Sequence, residues 1–327
     1  MPAVKTKTKL FISGGSGFIG SHLVRRLLAS HEVCRVVVYD NFSSGRESFL
    51  SDVSSDVRLE IVSGDLKNLE SIKASMDGCD TVFHLAANPD ISKAVTQPDI
   101  DFWEGTYLTQ NVLEAMRLTG AQHIFYTSGS GVYGENANVS FTEIFGPCIP
   151  ISTYGASKLA CEALIASYCF MFGITGRVFR FANVVGPRQT HGVGYDFVRR
   201  LKSDPTQLKI LGDGTQCKSY IHVKDVLNAI FTAADKSVAL YDVFNVATGD
   251  YITVREIADA AVRICGLNPS EVAYEFTGGD RGWKGDVPNV RFDCTKIMEL
   301  GWRCQKSSIQ ALQESMASMV EEISHEQ

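Results

Sequence analysis

The sequence predicts an α/β fold, in which a doubly wound parallel sheet carries a smaller, interleaved C-terminal lobe. Short runs rich in β-branched and aromatic residues alternate with helical patterns, which is typical of a parallel sheet covered on both faces. The predicted strands are 10–13, 35–39, 59–62, 81–85, 123–127, 177–181 and 243–246. After residue 186 the alternation ends in glycine- and proline-rich stretches, with isolated helices predicted at 254–265 and 308–323.

Length and composition favour one large core with an attached lobe. The chain has 327 residues, of which 45% are hydrophobic and 21% are charged, so it can bury a sizeable core. This composition excludes intrinsic disorder and a fibrous repeat. The longest apolar run, 168–172, is far shorter than the roughly 18 residues of a membrane span, so we expect no membrane association.

Charge and cysteine content narrow the classes of partner. Lys and Arg number 31 and Asp and Glu 37, for a net charge of −6, so there is no basic bias of the kind that nucleic-acid binding needs. The nine cysteines contain no CxxC pair, which argues against a disulfide framework and against a structural metal site. We therefore expect no nucleic-acid partner, no metal and a reducing, cytoplasmic location.

A glycine-rich turn follows the first predicted strand and opens an amphipathic helix. Its glycines are Gly14, Gly17 and Gly20. Gly14 allows a tight turn, Gly17 lets the backbone approach a pyrophosphate at the helix N-terminus, and Gly20 lets helix and strand pack closely. The glycines alone would be equally consistent with an ordinary strand-to-helix turn.

Acidic residues after the next two strands strengthen the nucleotide interpretation. Asp40 lies 20 residues beyond Gly20, where a carboxylate can accept hydrogen bonds from ribose hydroxyls and repel a 2′-phosphate. This favours NAD over NADP, although the nearby Arg46 weakens the exclusion of NADP. The glycine turn and the acid together predict a Rossmann-type domain. Asp65 and Leu66, after the third strand, are candidates for contact with adenine. The alternative for both acids is an ordinary solvated strand end.

A tyrosine and a lysine four residues apart, Tyr154 and Lys158, form a candidate catalytic pair. On a helix this spacing places them on one face, where the ammonium can favour the phenolate form of the tyrosine. About half a match to this spacing is expected by chance in a chain of this composition, and a second match occurs at Tyr220 and Lys224. Tyr154 follows the fifth strand, whereas Tyr220 lies in a strand-like segment and is predicted to be structural.

Hydroxyl side chains end the fifth strand, at 127–130. They emerge at the carboxyl edge of the sheet, where open α/β sheets bind ligands. Ser128 and Ser130 are therefore candidates to bond a substrate oxygen.

Together these motifs resemble the extended short-chain dehydrogenase/reductase family, and within it the NAD-dependent nucleotide-sugar epimerases and dehydratases. The resemblance runs from Lys9 to about Trp302. Besides the motifs above it rests on the segments 40–46, 84–87, 132–134, 183–188, 210–216 and 220–226.

The resemblance implies a role for each matching residue. Tyr154 would be the base, Lys158 would hold the nicotinamide ribose, and Ser128, with Ser130 in reserve, would bond the sugar oxygen being oxidised. Many relatives carry this hydroxyl where this chain has Gly129. The NAD contacts implied in addition to those above are Phe18, Ile19, Asn41, Ser43, Gly45, Leu85, Ala86 and Ala87, and the substrate contacts are Asn183, Lys218 and Arg281.

Departures from the family pattern bear on the reaction. Family 4,6-dehydratases carry Asp-Glu where this chain has Ser130 and Gly131, so dehydration lacks its proton carriers. Lys218 and Trp283 stand where relatives carry arginines that grip the substrate diphosphate, and Arg281 is the candidate substitute for the second. An asparagine common in relatives is replaced by Gly105.

The resulting hypothesis is NAD-dependent epimerisation of a nucleotide-diphosphate sugar at carbon 4. The alternatives are a dehydrogenase, decarboxylase or dehydratase of the same family, and a non-catalytic NAD-binding regulator. We expect residues 1–186 to bind NAD, with 220–247 returning to that domain, and 187–219 and 248–327 to form the substrate lobe. The helical segments 106–117 and 154–172 resemble the pair that relatives use to form a homodimer.

Overall fold

The computed structural model describes residues 8–136, 139–283 and 285–325. In chain order its strands are β1 (Thr8–Ser13), β2 (Val33–Asp40), β3 (Leu59–Ser63), β4 (Thr81–His84), β5 (His123–Gly129), β6 (Ser140–Phe141), β7 (Thr175–Phe181), β8 (Asn183–Val185), β9 (Gln207–Ile210), β10 (Cys217–Lys218), β11 (Tyr220–His222), β12 (Tyr241–Val246), β13 (Ile252–Thr253), β14 (Ala273–Phe276) and β15 (Arg291–Phe292). The α-helices are α1 (Phe18–Leu28), α2 (Leu69–Met76), α3 (Tyr107–Thr119), α4 (Thr153–Phe172), α5 (Val193–Ser203), α6 (Val223–Lys236), α7 (Val254–Ile264), α8 (Thr295–Glu299) and α9 (Ser308–His325). Short 3₁₀ segments lie at Glu47–Val53, Ile91–Val95 and Ser130–Tyr133. Among the described residues, none of these helices is both long and apolar enough to cross a membrane.

Seven strands form one parallel sheet in the order β12-β7-β5-β4-β1-β2-β3. They are the seven strands that the sequence predicts, with ends shifted by at most two residues. The chain order reverses between β1 and β4, which is the point where open α/β sheets bind ligands beyond their carboxyl ends. The α/β fold prediction is confirmed.

Alternating side chains of β1 supply two cores, one on each face of the sheet. Leu10 and Ile12 pack in the core that contains Leu23 of α1. Phe11 points to the other face, into the core that contains Ile72 of α2 and Val112 of α3. Because both faces are covered, the inner strands carry continuous buried apolar runs, such as 10–12 and 36–39, instead of alternating.

A third core holds the smaller lobe together. It joins α5, α7 and α9 through residues such as Phe197, Ile257 and Leu312. The segment 220–247 is predicted to return to the first domain. Its strand β11 pairs with β8 in a separate two-stranded sheet, whereas its strand β12 extends the main sheet beside β7. The outermost parts of the two predicted units, 1–7 and 326–327, lie outside the described residues.

Local sequence signals account for the ends of the helices near the sheet edge. The Ser152 hydroxyl accepts a hydrogen bond from the Gly155 amide and caps α4, while Gly173 ends it in the left-handed conformation. The helix predicted at 106–117 begins at Tyr107 and is preceded by a π-helical turn, Phe102–Thr106. In that turn a Cβ atom on Gly105 would lie 2.4 Å from the Ser157 hydroxyl oxygen, so a larger residue there would force that hydroxyl to move.

Candidate active site

A cavity of about 1230 Å³ opens at the carboxyl edge of the sheet and continues into the smaller lobe. Single small-molecule sites are commonly about 300–1,000 Å³, so this cavity has room for two ligands side by side. All but one of the residues predicted to contact cofactor or substrate line it. The exception is Arg281.

The glycine turn between β1 and α1 forms one wall of the cavity. Gly14 adopts a φ of +73°, which side chains other than glycine rarely tolerate. A Cβ atom on Gly20 would lie 2.3 Å from the Gly14 carbonyl oxygen, so only glycine lets α1 pack this close to the turn. The first turn of α1 begins at Phe18, directly after Gly17, and its free amides and positive dipole end suit a pyrophosphate.

Asp40 is held at the end of β2 by two backbone amides. Its carboxylate oxygens accept hydrogen bonds from Ser16 N and Phe42 N, each at 2.9 Å. Burial raises the pKa of Asp40, and these two hydrogen bonds oppose that rise. The carboxylate therefore has a fixed position in the cavity wall, as recognition of ribose hydroxyls requires.

The other residues implied for NAD contact also line this part of the cavity. They are Phe18, Ile19, Asn41, Ser43, Gly45, Asp65, Leu66, Leu85, Ala86 and Ala87. The backbone at Leu66 is fixed from outside by Asn111 of α3, whose amide donates to the Leu66 carbonyl at 2.9 Å. A narrow glycine cradle, a helix N-terminus and a fixed acid fit an adenine dinucleotide with a free 2′-hydroxyl.

Tyr154 and Lys158 lie together in the first turns of α4, with both residues in the cavity wall. The Lys158 ammonium donates to the Thr127 carbonyl at 2.8 Å and lies 5.5 Å from the centre of the Tyr154 ring. Lys158 is 5% exposed, so its charge acts on the phenol through little intervening solvent.

The rival pair, Tyr220 and Lys224, has different surroundings. Tyr220 lies in β11 and its backbone amide donates to Ser308 of α9. The Lys224 side chain is 68% exposed and lies 3.8 Å from Glu314. Tyr220 is buried and reaches the cavity wall, but Lys224 points to solvent and pairs elsewhere.

The two candidate hydroxyls beside Tyr154 are in different environments. Ser130 starts the 3₁₀ turn after β5 and is partly exposed in the cavity. Ser128 also reaches the cavity, but it is buried and its hydroxyl donates to Glu162 of α4 at 2.5 Å. Sequence reasoning missed Glu162, although its position four residues after Lys158, on the same helix face, is a signal that could have found it.

The residues predicted to bind substrate are only partly brought together. Asn183 and Lys218 line the cavity, and the Lys218 ammonium is paired with Asp286. Arg281 does not line it, because its guanidinium bonds both carboxylate oxygens of Glu135, at 2.8 and 3.0 Å. Trp283, two residues on, does reach the cavity wall.

A buried histidine connects three elements behind this site. The His84 ring of β4 bonds Ser13 of β1 at 2.6 Å and Thr109 of α3 at 2.9 Å. Burial, together with the charge of Lys158, lowers the pKa of His84 to about 3. The ring is therefore neutral at ordinary pH and holds the strand and helix by hydrogen bonds alone.

This sheet order, with a glycine cradle and a fixed acid at its switch point, defines a dinucleotide-binding protein of the Rossmann class. A family model described as the NAD dependent epimerase/dehydratase family matches residues 10–247, and the chain belongs to that family. NAD, the cofactor in that description, is the one that the cradle and Asp40 fit.

Similar proteins cover nearly the whole chain. A UDP-glucose 4-epimerase of Mycolicibacterium smegmatis is 33% identical over 96% of this chain and 97% of its own. A crystal structure of UDP-galactose 4-epimerase shares 36% identity over 97% of this chain and 100% of its own, with a TM-score of 0.84. A dTDP-glucose 4,6-dehydratase from Streptomyces venezuelae, crystallised with NAD bound, shares 28% identity over 97% and 98% with a TM-score of 0.88.

Proposed function

We propose that the protein is an NAD-dependent nucleotide-diphosphate-sugar 4-epimerase resembling UDP-glucose 4-epimerase. The observation that carries the proposal is the Tyr154–Lys158 pair in the same cavity as the glycine cradle, beside Ser128 and Ser130. Both named epimerase relatives match this chain over at least 96% of its length, which supports the same reaction.

In this proposal each side chain of the pair has a separate task. The Tyr154 phenolate takes the proton of the sugar 4-hydroxyl and returns it at the end of the cycle. Lys158, anchored on the Thr127 carbonyl, favours the phenolate by its charge and bonds the nicotinamide ribose. NAD, which the glycine cradle and Asp40 would hold, would supply hydride acceptance at carbon 4 and its return to the other face of the sugar ring.

The surroundings of residues 130 and 131 support epimerisation over dehydration. Dehydration needs an acid and a base here, and this chain has a hydroxyl and a glycine. A Cβ atom on Gly131 would also lie 3.3 Å from the Gly155 Cα at the start of α4, which leaves little room for a carboxylate side chain.

The proposal includes a division of the chain between the two ligands, which the cavity lining supports. We assign residues 1–186 and 220–247 to NAD, and 187–219 and 248–327 to the nucleotide sugar. Lys218, which is paired with Asp286, would contact the diphosphate, and Asn183 would bond the sugar or its phosphate; both line the cavity. Arg281 would have to leave Glu135 to take part.

The proposal also includes the oligomeric state of the protein and its location in the cell. A homodimer would form through α3 and α4; Phe170 and Phe172 of α4, and Trp103 in the π-helical turn before α3, are exposed aromatic residues there. All nine cysteines lie in the described part of the chain and are free thiols, which supports a reducing compartment, the cytoplasm.

The test is incubation of the protein with a panel of UDP-, GDP-, CDP- and dTDP-sugars, followed by mass and NMR analysis. An epimer of unchanged mass, with no net NADH, is the expected product. A product lighter by one water would identify a dehydratase, and one NADH per substrate a dehydrogenase. NAD binding without any turnover would indicate a regulator.

A further inference from the structure

The Lys158 ammonium is buried without a counter-ion. Lys158 is 5% exposed, and no carboxylate of the described residues forms an ion pair with it. The acid one turn further along α4, Glu162, is paired instead with Arg180 of β7 at 2.6 Å. A charge that leaves water costs free energy unless other groups compensate it, so the neutral groups around this ammonium have to do so.

Three neutral groups surround the ammonium. It donates to the Thr127 carbonyl at 2.8 Å and lies over two aromatic rings, 4.9 Å from the centre of Tyr126 and 5.5 Å from that of Tyr154. The face of an aromatic ring carries negative potential and attracts a cation within about 6 Å of its centre, most strongly where water is excluded. An ammonium has three N–H donors, so two remain after the bond to Thr127.

The two rings differ in their other contacts. Tyr154 lines the cavity and is the candidate base, so its ring must also meet the substrate. Tyr126 of β5 is 2% exposed and does not line the cavity. Burial raises the pKa of Tyr126 well above its usual value, so this side chain stays neutral. Tyr126 is therefore the ring that is available to Lys158 whatever the cavity holds.

The Tyr126 ring is held by its neighbour in the sheet. Tyr126 pairs with His84 of β4, and the two ring centres are 5.5 Å apart. His84 is fixed in turn by its hydrogen bonds to Ser13 and Thr109. A chain of contacts therefore runs from β1 and α3 through two rings to the ammonium at the cavity wall.

We propose that Tyr126 is a positioning residue that holds the Lys158 ammonium against β5 by cation–π attraction. With the ammonium fixed there and bonded to Thr127, its two remaining N–H groups serve the nicotinamide ribose. The inference rests on the proposed function, which gives this task to Lys158. Without the attraction of the ring the ammonium is free to turn away, and NAD binds more weakly because its binding then has to order the lysine side chain.

The first experiment weakens the attraction without changing the packing. Tyr126 is replaced by phenylalanine and by its mono-, di- and trifluorinated analogues, and NAD is titrated calorimetrically into each protein after removal of bound cofactor. Fluorine withdraws electron density from the ring face, so the attraction falls with each fluorine atom while the ring keeps its shape. We expect Tyr126→Phe to bind NAD within about twofold of the wild type. The trifluorinated variant should bind it about three- to tenfold more weakly than Tyr126→Phe, with the others in between.

Two controls separate the charge of Lys158 from packing. In a Lys158→Met background the ammonium is absent, so fluorination at Tyr126 should leave NAD affinity unchanged. Phe11 is a fully buried ring of the same core, with no cation over it among the described residues. Its replacement by trifluorophenylalanine should also leave NAD affinity unchanged.

The second experiment measures turnover of the nucleotide sugar by the same proteins, saturated with NAD. Because Lys158 is assigned to the cofactor and not to the sugar, kcat should fall in the order of the NAD affinities while KM for the sugar stays within about twofold. A rise in KM at constant kcat would contradict the inference.

Three binding results would also overturn it: an NAD affinity that does not change along the fluorinated series, a decrease of the same size in the Lys158→Met background, or a Lys158→Met variant that binds NAD as tightly as the wild type. If NAD affinity follows the fluorinated series but no sugar of the panel is converted, the proposed function fails while the role of Tyr126 stands. The two failures are thus distinguishable.

Discussion

At the scale of single residues, we predict that Asp40 decides which dinucleotide the cavity accepts. Its oxygens are fixed by Ser16 N and Phe42 N, so it cannot swing away from a 2′-phosphate. We expect NAD to bind more tightly than NADP by roughly 1–3 kcal/mol. In Asp40→Asn the charge is lost but one oxygen acceptor remains, so the difference in affinity between NAD and NADP should become smaller. Calorimetric titration of both cofactors checks this.

The control for Asp40 is Asp65→Asn. Asp65 also lines the cavity, after β3, and its carboxylate accepts from the Lys67 amide. Its loss should leave the ratio of NAD to NADP affinity unchanged. Equal or tighter NADP binding by the wild type would refute the role given to Asp40.

Tyr154→Phe tests the base. It keeps the ring beside Lys158 and removes only the phenolic oxygen, so kcat should fall by more than about 10²–10⁴-fold while NAD affinity stays nearly constant. Turnover of the nucleotide sugar and NAD titration measure the two quantities. Ser128→Ala should lower kcat by a smaller factor than Tyr154→Phe.

Tyr220→Phe is the matched control for the base, since Tyr220 has the same spacing to a lysine. That lysine, Lys224, points to solvent, so the variant should keep most of its activity. An inactive Tyr220→Phe beside an active Tyr154→Phe would mean that the wrong pair was chosen.

The sequence could predict the place of a single residue when that place depends on its neighbours in the chain, but not when it depends on residues far away in the chain. Gly14 directly follows β1, Gly20 lies in the first turn of α1 and Asp40 ends β2, so their placement needed only the local pattern. The direction of the Ser128 hydroxyl depends on Glu162, 34 positions away, and on the charge of Arg180 in another strand. No local signal contains that combination.

At the scale of elements, the packing of α1 against the glycine turn shapes the cofactor wall. In Gly20→Ala the new methyl group would meet the Gly14 carbonyl oxygen and the Gly15 Cα, and backbone atoms cannot move aside cheaply. Overpacking of this kind costs about 1–3 kcal/mol. We expect a lower melting temperature and weaker NAD binding, measured by calorimetry. Unchanged NAD affinity would show that α1 need not pack this closely.

His84 connects β1, β4 and α3 and should make stability depend on pH. Its pKa is lowered by burial to about 3 in the folded protein, against about 6.5 in an unfolded chain. As pH falls below 6.5 the unfolded state binds a proton that the folded state refuses. The contribution of His84 is therefore present above pH 6.5 and is lost progressively down to pH 3, by up to about tenfold in the folding constant per pH unit.

Urea unfolding at pH 7, 6 and 5 measures this effect. His84→Asn should lose less stability on acidification than the wild type, because the titrating group is gone. His31→Asn, at an exposed position before β2, is the matched control and should keep the wild-type slope. Identical slopes for all three proteins would contradict the argument.

Element boundaries could be predicted from the sequence to within two residues in the sheet, because each strand contains a short run rich in β-branched or aromatic residues. The π-helical turn before α3 could not. It depends on the close approach of Gly105 to the Ser157 hydroxyl of α4, a contact between elements about 50 residues apart.

At the scale of the whole molecule, an ion pair joins two loops that are far apart in the chain. Arg281 of the smaller lobe bonds Glu135, which follows the turn after β5, 146 positions earlier. The sequence suggested Arg281 as a substitute for a missing diphosphate-binding arginine, since composition and spacing show the charge but not its partner. The ion pair instead ties the two parts of the molecule together at the rim of the cavity.

The outer face of α3 and α4 should form a homodimer. Along α4 the small residues Ala156, Ala160 and Ala163 share one face, of which Ala156 and Ala163 are exposed, and Phe170 at its end is 72% exposed. Small residues let helices of two subunits approach closely, and a stable interface of this kind buries about 800 Å² per partner. We therefore expect a dimer in sedimentation at micromolar concentration.

Ala163→Arg tests this assembly by placing a long charged side chain in the middle of the helix pair. It should yield monomers that still bind NAD, because Ala163 lies on the face of α4 away from Lys158 and the cavity. Val238→Arg makes the same change in charge at a fully exposed apolar position after α6 and should remain dimeric. A wild type that sediments only as a monomer, or a Val238→Arg variant that dissociates as readily as Ala163→Arg, would contradict an interface built on α3 and α4.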